Sequence, residues 1–339
     1  MPRYKPSDLA ATPQPIGWQQ TIQDRLRTKK QVLPLISHAL SNELVLAGDR
    51  ALIAAYGKYC GYPLDTQSVP QMAQFKSIVE GHGRDRQAVC DDYINFVKNR
   101  LCDIAEADHV SAASLQAIEA QFDALSFAGL CEQLHYPRFD GGAEDPLLLL
   151  TEFDLPIYLT TSYHGFIEAA LQRKGKRPRS DYPRWHRDLE RYPSAFTDNY
   201  EPTAANFANE PLVYHLLGYD EVPSSLVLTE DDHLKFIVAC STDIGKNTDR
   251  IHGRMRDALS DSSLLVLGYS LASWEFRALF WSAIVHRSQS LTSMITVQLV
   301  PSAQEKHYVN SYLDLFEFKT VWDSVQAYVQ TLYAAVSDG

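Results

Sequence analysis

The sequence lacks the features that stabilise small secreted proteins or anchor membrane proteins. Its 339 residues include five cysteines, and no two of them form a CxxC pair. A structural zinc site needs clustered soft ligands, so we expect reduced cysteines and no metal. No apolar run reaches the roughly 18 residues of a membrane span, and the N-terminus lacks the apolar segment of a secretory signal. These absences predict a cytoplasmic protein that makes no membrane contact.

Positive charge is also in short supply. The chain carries 31 lysines and arginines against 42 acidic residues, a formal net charge of −11. A chain with this charge is poorly suited to bind a phosphate backbone by its overall field, so we expect no direct nucleic-acid partner. Hydrophobic residues make up 45% of the chain, which excludes a disordered protein and suffices for a large core.

The apolar segments predict an α/β fold. Short continuous apolar runs alternate with helical patterns, which is typical of a parallel sheet covered on both faces. Pro34 lies inside the first run and argues against a central position for that strand. We therefore expect a Rossmann-like open parallel sheet with a helical insertion. The predicted strands are residues 32–36, 156–161, 212–217, 264–267 and 295–300.

The spacing of apolar residues also divides the chain. Four prolines in the first 20 residues indicate an extended arm, which together with a short helix makes up residues 1–30. Between residues 65 and 145 the apolar spacing becomes helical, with stripes such as Met72, Phe75 and Ile78. This predicts a sheet domain over residues 31–64 and 146–339, interrupted by a helical insertion over residues 65–145.

Ligands of open α/β sheets bind at the carboxyl ends of the strands, where exposed turns and helix N-termini gather. This rule selects four turns of the predicted sheet as candidate binding segments. They are residues 37–42, 160–165, 215–218 and 268–273.

The same turns carry a family resemblance. Residues 160–168 read TTSYHGFIE and resemble the sirtuin-like TTNYD turn with its following helix. PLVYHLLG at 211–218 and SLVLTEDDHL at 225–234 resemble that family's His–Gly strand and LTEDDY stretch. LGYSL at 267–271 and WEFR at 274–277 resemble its late nucleotide-binding turn. The order and spacing match over about residues 151–339, and more loosely over 31–64.

The resemblance implies a Rossmann-like domain that binds NAD. Bacterial relatives of this kind are often NAD hydrolases of anti-phage defence that stay inactive until a partner or signal releases them. The four-cysteine zinc module of the deacylase sirtuins cannot be built from these scattered cysteines. The resemblance therefore favours an NAD hydrolase over a protein deacylase, gated by self-assembly or by a separately encoded partner protein.

The motifs depart from the family pattern at several positions. The first turn, normally glycine-rich, has no glycine before Gly48, and Ser162 and His164 replace the usual asparagine and aspartate. Leu217 replaces the usual histidine, while His215 stands two places earlier. Strand alternation would turn both side chains to one face, about 7 Å apart.

These matches imply a set of site residues. The implied catalytic residues are His215, Ser162 and His164. The implied nucleotide contacts are Thr160, Thr161, Gly218, Gly268, Tyr269, Ser270 and His38.

Cleavage of the nicotinamide–ribose bond requires an oriented ribose, excluded water and a base. A neutral histidine suits the base role, and we expect His215 to fill it, with a variant that loses activity but not stability. Two other readings stay open: a nucleotide-binding scaffold or sensor whose catalytic positions have decayed, and a different enzyme that acts on another nucleotide.

The scattered cysteines generate one direct prediction. Elemental analysis of the purified protein should find no stoichiometric zinc, because no four soft ligands are clustered in the sequence. One zinc ion per chain would contradict this expectation.

Overall fold

The computed structural model describes residues 16–28, 32–65, 68–81, 85–139, 142–196, 209–242, 250–269, 295–299 and 318–337. Ser270, one of the expected nucleotide contacts, lies outside these described residues. None of the described helices is both long and apolar enough to cross a bilayer.

A seven-stranded sheet forms the centre of the protein, in the spatial order β3-β4-β2-β1-β5-β6-β7. Every neighbouring pair is parallel. The fold is therefore α/β and Rossmann-like, and this prediction is confirmed. The strands are β1 (Val32–Ile36), β2 (Ile157–Thr160), β3 (Arg179–Asp181), β4 (Leu212–His215), β5 (Ser263–Tyr269), β6 (Ile295–Leu299) and β7 (Lys319–Trp322).

Helices connect and cover the strands. Several begin at a serine or aspartate whose side chain accepts a hydrogen bond from the first turn, as N-caps do. The helices are α1 (Ile16–Arg27), α2 (His38–Val45), α3 (Asp49–Cys60), α4 (Val69–Val79), α5 (Arg86–Ala107), α6 (Ala112–Glu119), α7 (Phe127–Gln133), α8 (Pro146–Glu152), α9 (Phe166–Arg173), α10 (Glu230–Thr242), α11 (Gly253–Asp261) and α12 (Val325–Ser337).

The helical segment lies where the change of apolar period predicts it. Helices α4 to α7 occupy the described residues between 68 and 133, and the described part of 65–145 adds no strand to the sheet. The boundaries of the insertion as a domain stay a prediction.

The expectation for Pro34 is wrong, because β1 is a central strand. Pro34 pairs with Leu265 of β5 on one side. On the other side the ladder between β1 and β2 begins only at Leu35. A proline without an N–H donor is tolerated here because one of its two neighbouring ladders has not yet started.

Two apolar cores cover the two faces of the sheet. Successive strand residues enter opposite cores: Tyr158 packs with the cluster that includes the helical segment, whereas Leu159 packs with the other cluster. In β5 the same alternation separates Leu265 from Val266. This alternation explains the continuous apolar runs, since both faces of a parallel sheet are buried.

The topology defines where a ligand can bind. From β1 the chain moves to β2 on one side, whereas from β5 it moves to β6 on the other side. Adjacent strands whose connections leave in opposite directions open a crevice at their carboxyl ends. That crevice lies where β1 ends at Ile36 and β5 ends at Tyr269.

Gly218 provides a test of the turn that follows β4. Its φ is +99°, and an added Cβ would overlap the backbone carbonyl of Ser225. Gly61 has a φ of +62° with nothing within 4 Å of an added Cβ. Gly61→Ala should therefore cost about 1–2 kcal/mol of unfolding free energy from backbone strain alone. Gly218→Ala should cost about 1–3 kcal/mol more from overpacking.

Urea denaturation of the two glycine variants measures this difference. Equal losses for Gly218→Ala and Gly61→Ala would contradict the close backbone approach at Gly218.

Candidate active site

A cavity of about 410 Å³ opens at the carboxyl ends of β1, β2 and β5. Its volume lies within the usual range for small-molecule sites. Helices α3, α4 and α5 supply the opposite wall through side chains that include Ile53, Val69 and Tyr93. The site is therefore shared between the strand ends and helices from the N-terminal half of the chain.

The cavity brings together six of the expected site residues: His38, Thr161, Ser162, His164, Gly268 and Tyr269. Three others, Thr160, His215 and Gly218, lie outside its described lining. Each of the four turns that the carboxyl-edge rule selects thus contributes a residue to the cavity lining, but not every residue within them meets the cavity.

The turn after β2 is fixed by its own hydroxyl groups. Thr160 Oγ1 donates to the carbonyl oxygen of Ile36 at 3.1 Å and accepts from the Ser162 N–H at 2.9 Å. Thr161 Oγ1 lies 3.0 Å from the Tyr269 hydroxyl, which in turn donates to the Ile36 carbonyl at 3.1 Å. Thr160 therefore holds the backbone of β1 and of the turn after β2 together. Thr161 and Tyr269 connect the ends of β2 and β5 at the cavity.

His164 forms a buried pair with Asp220. Its Nδ1 lies 2.6 Å from Oδ2 of Asp220, and both residues are almost fully buried. Asp220 is held in turn by its backbone N–H, which donates to the Tyr163 carbonyl at 2.9 Å. His164 Nε2 makes no hydrogen bond with any described residue. A histidine oriented by a carboxylate, with its second nitrogen unengaged on a cavity wall, has the arrangement of a general base.

His215 lies beneath the cavity with both ring nitrogens engaged. Its Nδ1 is 2.8 Å from the Ser162 carbonyl oxygen, and its Nε2 is 2.8 Å from Oε1 of Glu168. The side chain is fully buried. A carbonyl oxygen only accepts hydrogen bonds, so Nδ1 must carry a proton. The general-base role expected for His215 is therefore revised, because neither nitrogen is available to a ligand.

The charge state of His215 follows from its neighbours. Burial lowers the pKa of His215, but the Glu168 carboxylate and the two hydrogen bonds raise it by more, so it lies above the ordinary value of 6.5. A protonated ring can donate to both Ser162 and Glu168. His215 thus holds the Ser162 carbonyl in place from below, and Glu168 supplies the compensating charge.

The end of β4 explains why His215 and Leu217 do not share a face. The strand stops at His215, and residues 216–218 turn away from it. Strand alternation therefore does not reach Leu217, which lines the cavity while His215 does not. Gly218 serves the backbone packing against Ser225 described above, not the cavity wall.

The first turn differs from a glycine-rich phosphate loop. At the start of α2, the Ala39 N–H donates to the Ser37 hydroxyl at 3.1 Å, and the His38 N–H donates to Thr161 Oγ1 at 3.1 Å. Gly268 has a φ of +76°, and an added Cβ there would lie 3.3 Å from the Ser37 Cβ. The glycine that permits the close approach of these two segments is therefore Gly268 at the end of β5. The family pattern instead has its glycines in the turn after β1.

Asp49 gives the cavity a second polar end. Its Oδ1 accepts a hydrogen bond from the Asn42 amide at 3.0 Å and lies 3.7 Å from His38 Nε2. The described residues that line the cavity include this carboxylate and no lysine or arginine. The field of the described lining is therefore suited to hydroxyl donors and to developing positive charge.

The described residues contain no group of three or more metal-ligating side chains. All five cysteines fall in the described part of the chain, where none forms a disulfide.

Three important residues are missed by the sequence analysis. Asp220 and Asp49 are single acids without a motif, and their partners lie in other segments of the chain. Glu168 closes the TTSYHGFIE stretch, and its place one helical turn after His164 is the only local signal for a role. The pairing of each acid with a histidine depends on the sheet order, which no local pattern contains.

Comparison with known families agrees with this geometry. Residues 156–315 match the model of the SIR2-like domain. This segment is therefore similar to the SIR2-like domain, and the sirtuin-like resemblance of its motifs is confirmed. No curated protein matches the chain. The match suggests NAD-related, sirtuin-like chemistry.

The buried pair of His215 and Glu168 generates a stability prediction. His215→Ala should lower the unfolding free energy by about 3–5 kcal/mol, because it removes the charged partner of the buried Glu168 carboxylate, which keeps only the Ser180 hydroxyl at Oε1. His38→Ala should lower it by less than about 1 kcal/mol, since the His38 side chain is 47% exposed.

The pH dependence has a defined sign. The pKa of His215 is raised in the fold, so its stabilising charge is fully present below the unfolded value of 6.5 and is lost as the pH rises through the folded value. The difference between wild type and His215→Ala should therefore be largest below pH 6.5 and shrink above it. Denaturation curves at several pH values measure this difference, and a constant value would contradict a protonated His215.

Proposed function

We propose that the protein hydrolyses the nicotinamide–ribose bond of NAD. The observation that carries this proposal is the pair of His164 and Asp220: both residues belong to the segment that matches the SIR2-like domain, and His164 lines the cavity. His164 takes the base role that sequence reasoning gave to His215. Ser162, whose hydroxyl accepts from the His164 N–H at 3.1 Å, lines the cavity beside it.

The chemistry requires one proton acceptor. The bond between the ribose anomeric carbon and the pyridinium nitrogen breaks with its electron pair, which leaves neutral nicotinamide. A water oxygen bonds to the anomeric carbon and gives its proton to His164 Nε2, and Asp220 stabilises the imidazolium that results. The products are ADP-ribose, nicotinamide and one proton.

The electrostatics of the site favour this transition state. Positive charge develops on the ribose as nicotinamide leaves. The Asp49 carboxylate lines the described cavity and the Asp220 carboxylate lies behind it on His164, with no lysine or arginine among the described lining residues. Fixed negative charge near a developing cation lowers the barrier. Thr161, Gly268 and Tyr269 would contact the nucleotide.

One observation favours a second candidate function, a nucleotide-binding scaffold or sensor. The first N–H groups of α2, at His38 and Ala39, are already bonded to protein hydroxyls. Such groups bind the diphosphate in related sheet proteins. A site that retained the fold but lost its phosphate turn would bind a nucleotide without cleaving it.

We further propose that the hydrolase acts in anti-phage defence and is gated by self-assembly or by a partner protein. The support is chemical: unrestrained loss of NAD would poison the host, so an active site of this kind needs control. Symmetric self-association is the commonest route to such control within a single chain.

The experiment is an assay of nicotinamide release from NAD, with the protein alone and with the proteins encoded beside it. Wild type should release nicotinamide, faster in the assembled state. His164→Ala should lower the rate by about 10²–10⁴-fold, the usual loss for a general base, and Asp220→Asn should lower it as well.

His186→Ala is the control, because His186 is a half-buried histidine outside the described cavity lining. It should keep the wild-type rate. If His164→Ala also keeps that rate, the base assignment fails. If wild type binds NAD without releasing nicotinamide in any assembly, the scaffold takes its place. A monomer active at full rate would contradict the gating.

A further inference from the structure

Tyr93 is a buried residue whose hydroxyl has no hydrogen-bond partner among the described residues. The side chain is 2% exposed and lines the cavity from α5. Its hydroxyl makes no hydrogen bond with any described residue. The hydroxyl oxygen is not among the buried unpartnered atoms of the described residues, so it is open to the cavity, where a ligand group can accept its hydrogen bond.

The ring of Tyr93 is held in a defined position. It makes edge contacts with Tyr56 at a centroid distance of 5.2 Å and with Tyr163 at 5.9 Å. Tyr163 belongs to the turn that carries His164, so the aromatic contact ties α5 to the catalytic turn. Contacts of this geometry fix a ring without using its hydroxyl.

Helix α5 is also anchored to the other side of the site. Arg86 lies seven residues before Tyr93, two helical turns away on the same face. Its guanidinium is 3.1 Å from Oδ1 of Asp232, donates to the Ser224 carbonyl at 2.5 Å and stacks over the Trp185 ring at 4.5 Å. These contacts fix α5, and with it Tyr93, against Asp232, Ser224 and Trp185.

The electrostatic surroundings keep the Tyr93 hydroxyl protonated. Burial, followed by the charges of Asp49 and Asp220, raises its pKa well above the ordinary value. The hydroxyl is thus a hydrogen-bond donor, and the negative charges of Asp49 and Asp220 act on it. Asp49 uses Oδ1 for Asn42, and its Oδ2 makes no hydrogen bond with any described residue.

We propose that Tyr93 and Asp49 form a subsite for a ribose diol, in which the Tyr93 hydroxyl donates to one ribose oxygen and the Asp49 carboxylate accepts from a ribose hydroxyl. The inference rests on the proposed function. Both residues lie outside residues 156–315, so this part of substrate recognition comes from outside the SIR2-like match. The ligand class is a nucleotide with a free 2′,3′-diol.

The test is calorimetric titration of the full chain with NAD. Tyr93→Phe removes only the hydroxyl and should weaken NAD binding about 3- to 10-fold, the value of one neutral hydrogen bond. Asp49→Asn removes a charged acceptor and should weaken it by about 10-fold or more. Tyr56→Phe is the control, because the Tyr56 hydroxyl is buried and lies outside the described cavity lining.

Two further ligands identify which ribose is bound. NADP carries a phosphate on its adenosine 2′-oxygen, and a 2′-fluoro analogue of NAD lacks the hydroxyl on the nicotinamide ribose. The effect of Asp49→Asn, which removes the acceptor of the ribose hydroxyl, should disappear for the ligand that lacks the contacted hydroxyl and remain for the other. An equal effect on all three ligands would overturn the subsite.

The remaining outcomes separate this inference from the proposed hydrolysis. Wild-type affinity for NAD in Tyr93→Phe, or an equal loss in Tyr56→Phe, would overturn the subsite and leave the hydrolase standing. Binding of NAD by wild type without nicotinamide release would overturn the hydrolase alone. A wild type that binds none of the three ligands would overturn the subsite.

Discussion

The buried pair of His215 and Glu168 is the interaction on which the site depends. It fixes the Ser162 carbonyl from below, and Ser162 in turn caps the N–H of His164. Without that support the turn after β2 would lose the orientation that sets His164 against Asp220. The two histidines thus have different positions: His215 supports the turn after β2, and His164 lines the cavity.

Much of the sheet is predictable because its central strands are buried on both faces. Strands β1, β2, β4, β5 and β6 read as continuous apolar runs, which is the signal of a covered parallel sheet. The edge strands β3 and β7 give no such signal, since they are only three and four residues long and include charged residues. They form because β4 and β6 provide backbone hydrogen-bond partners at their outer edges. A local sequence pattern does not show which strand lies next to it.

The sequence predicts which turns border the cavity, but it does not predict what each residue in those turns does. The strand ends and the family motifs predict the edge of the sheet where the cavity lies, and they select His164, Ser162 and Gly268 from its lining. The roles of His215 and Asp220 depend on where β4 ends and on which loops fold back. Because β4 ends at His215, the His215 ring lies below the turn after β2 and not in the cavity.

The cavity belongs to more of the chain than the family match covers. The SIR2-like segment supplies His164 and the ends of β2 and β5, whereas the helices from the N-terminal half supply Asp49 and Tyr93. Under the proposed function, the chemistry and the contacts to the ribose would come from separate parts of the sequence.

The most direct measurement is a crystal structure of the Asp220→Asn variant with NAD bound. The account predicts that the anomeric carbon of the nicotinamide ribose lies within one water molecule of His164 Nε2, with His215 still bonded to Ser162 beneath it. NAD bound away from His164, or a nicotinamide ribose in contact with His215, would contradict it.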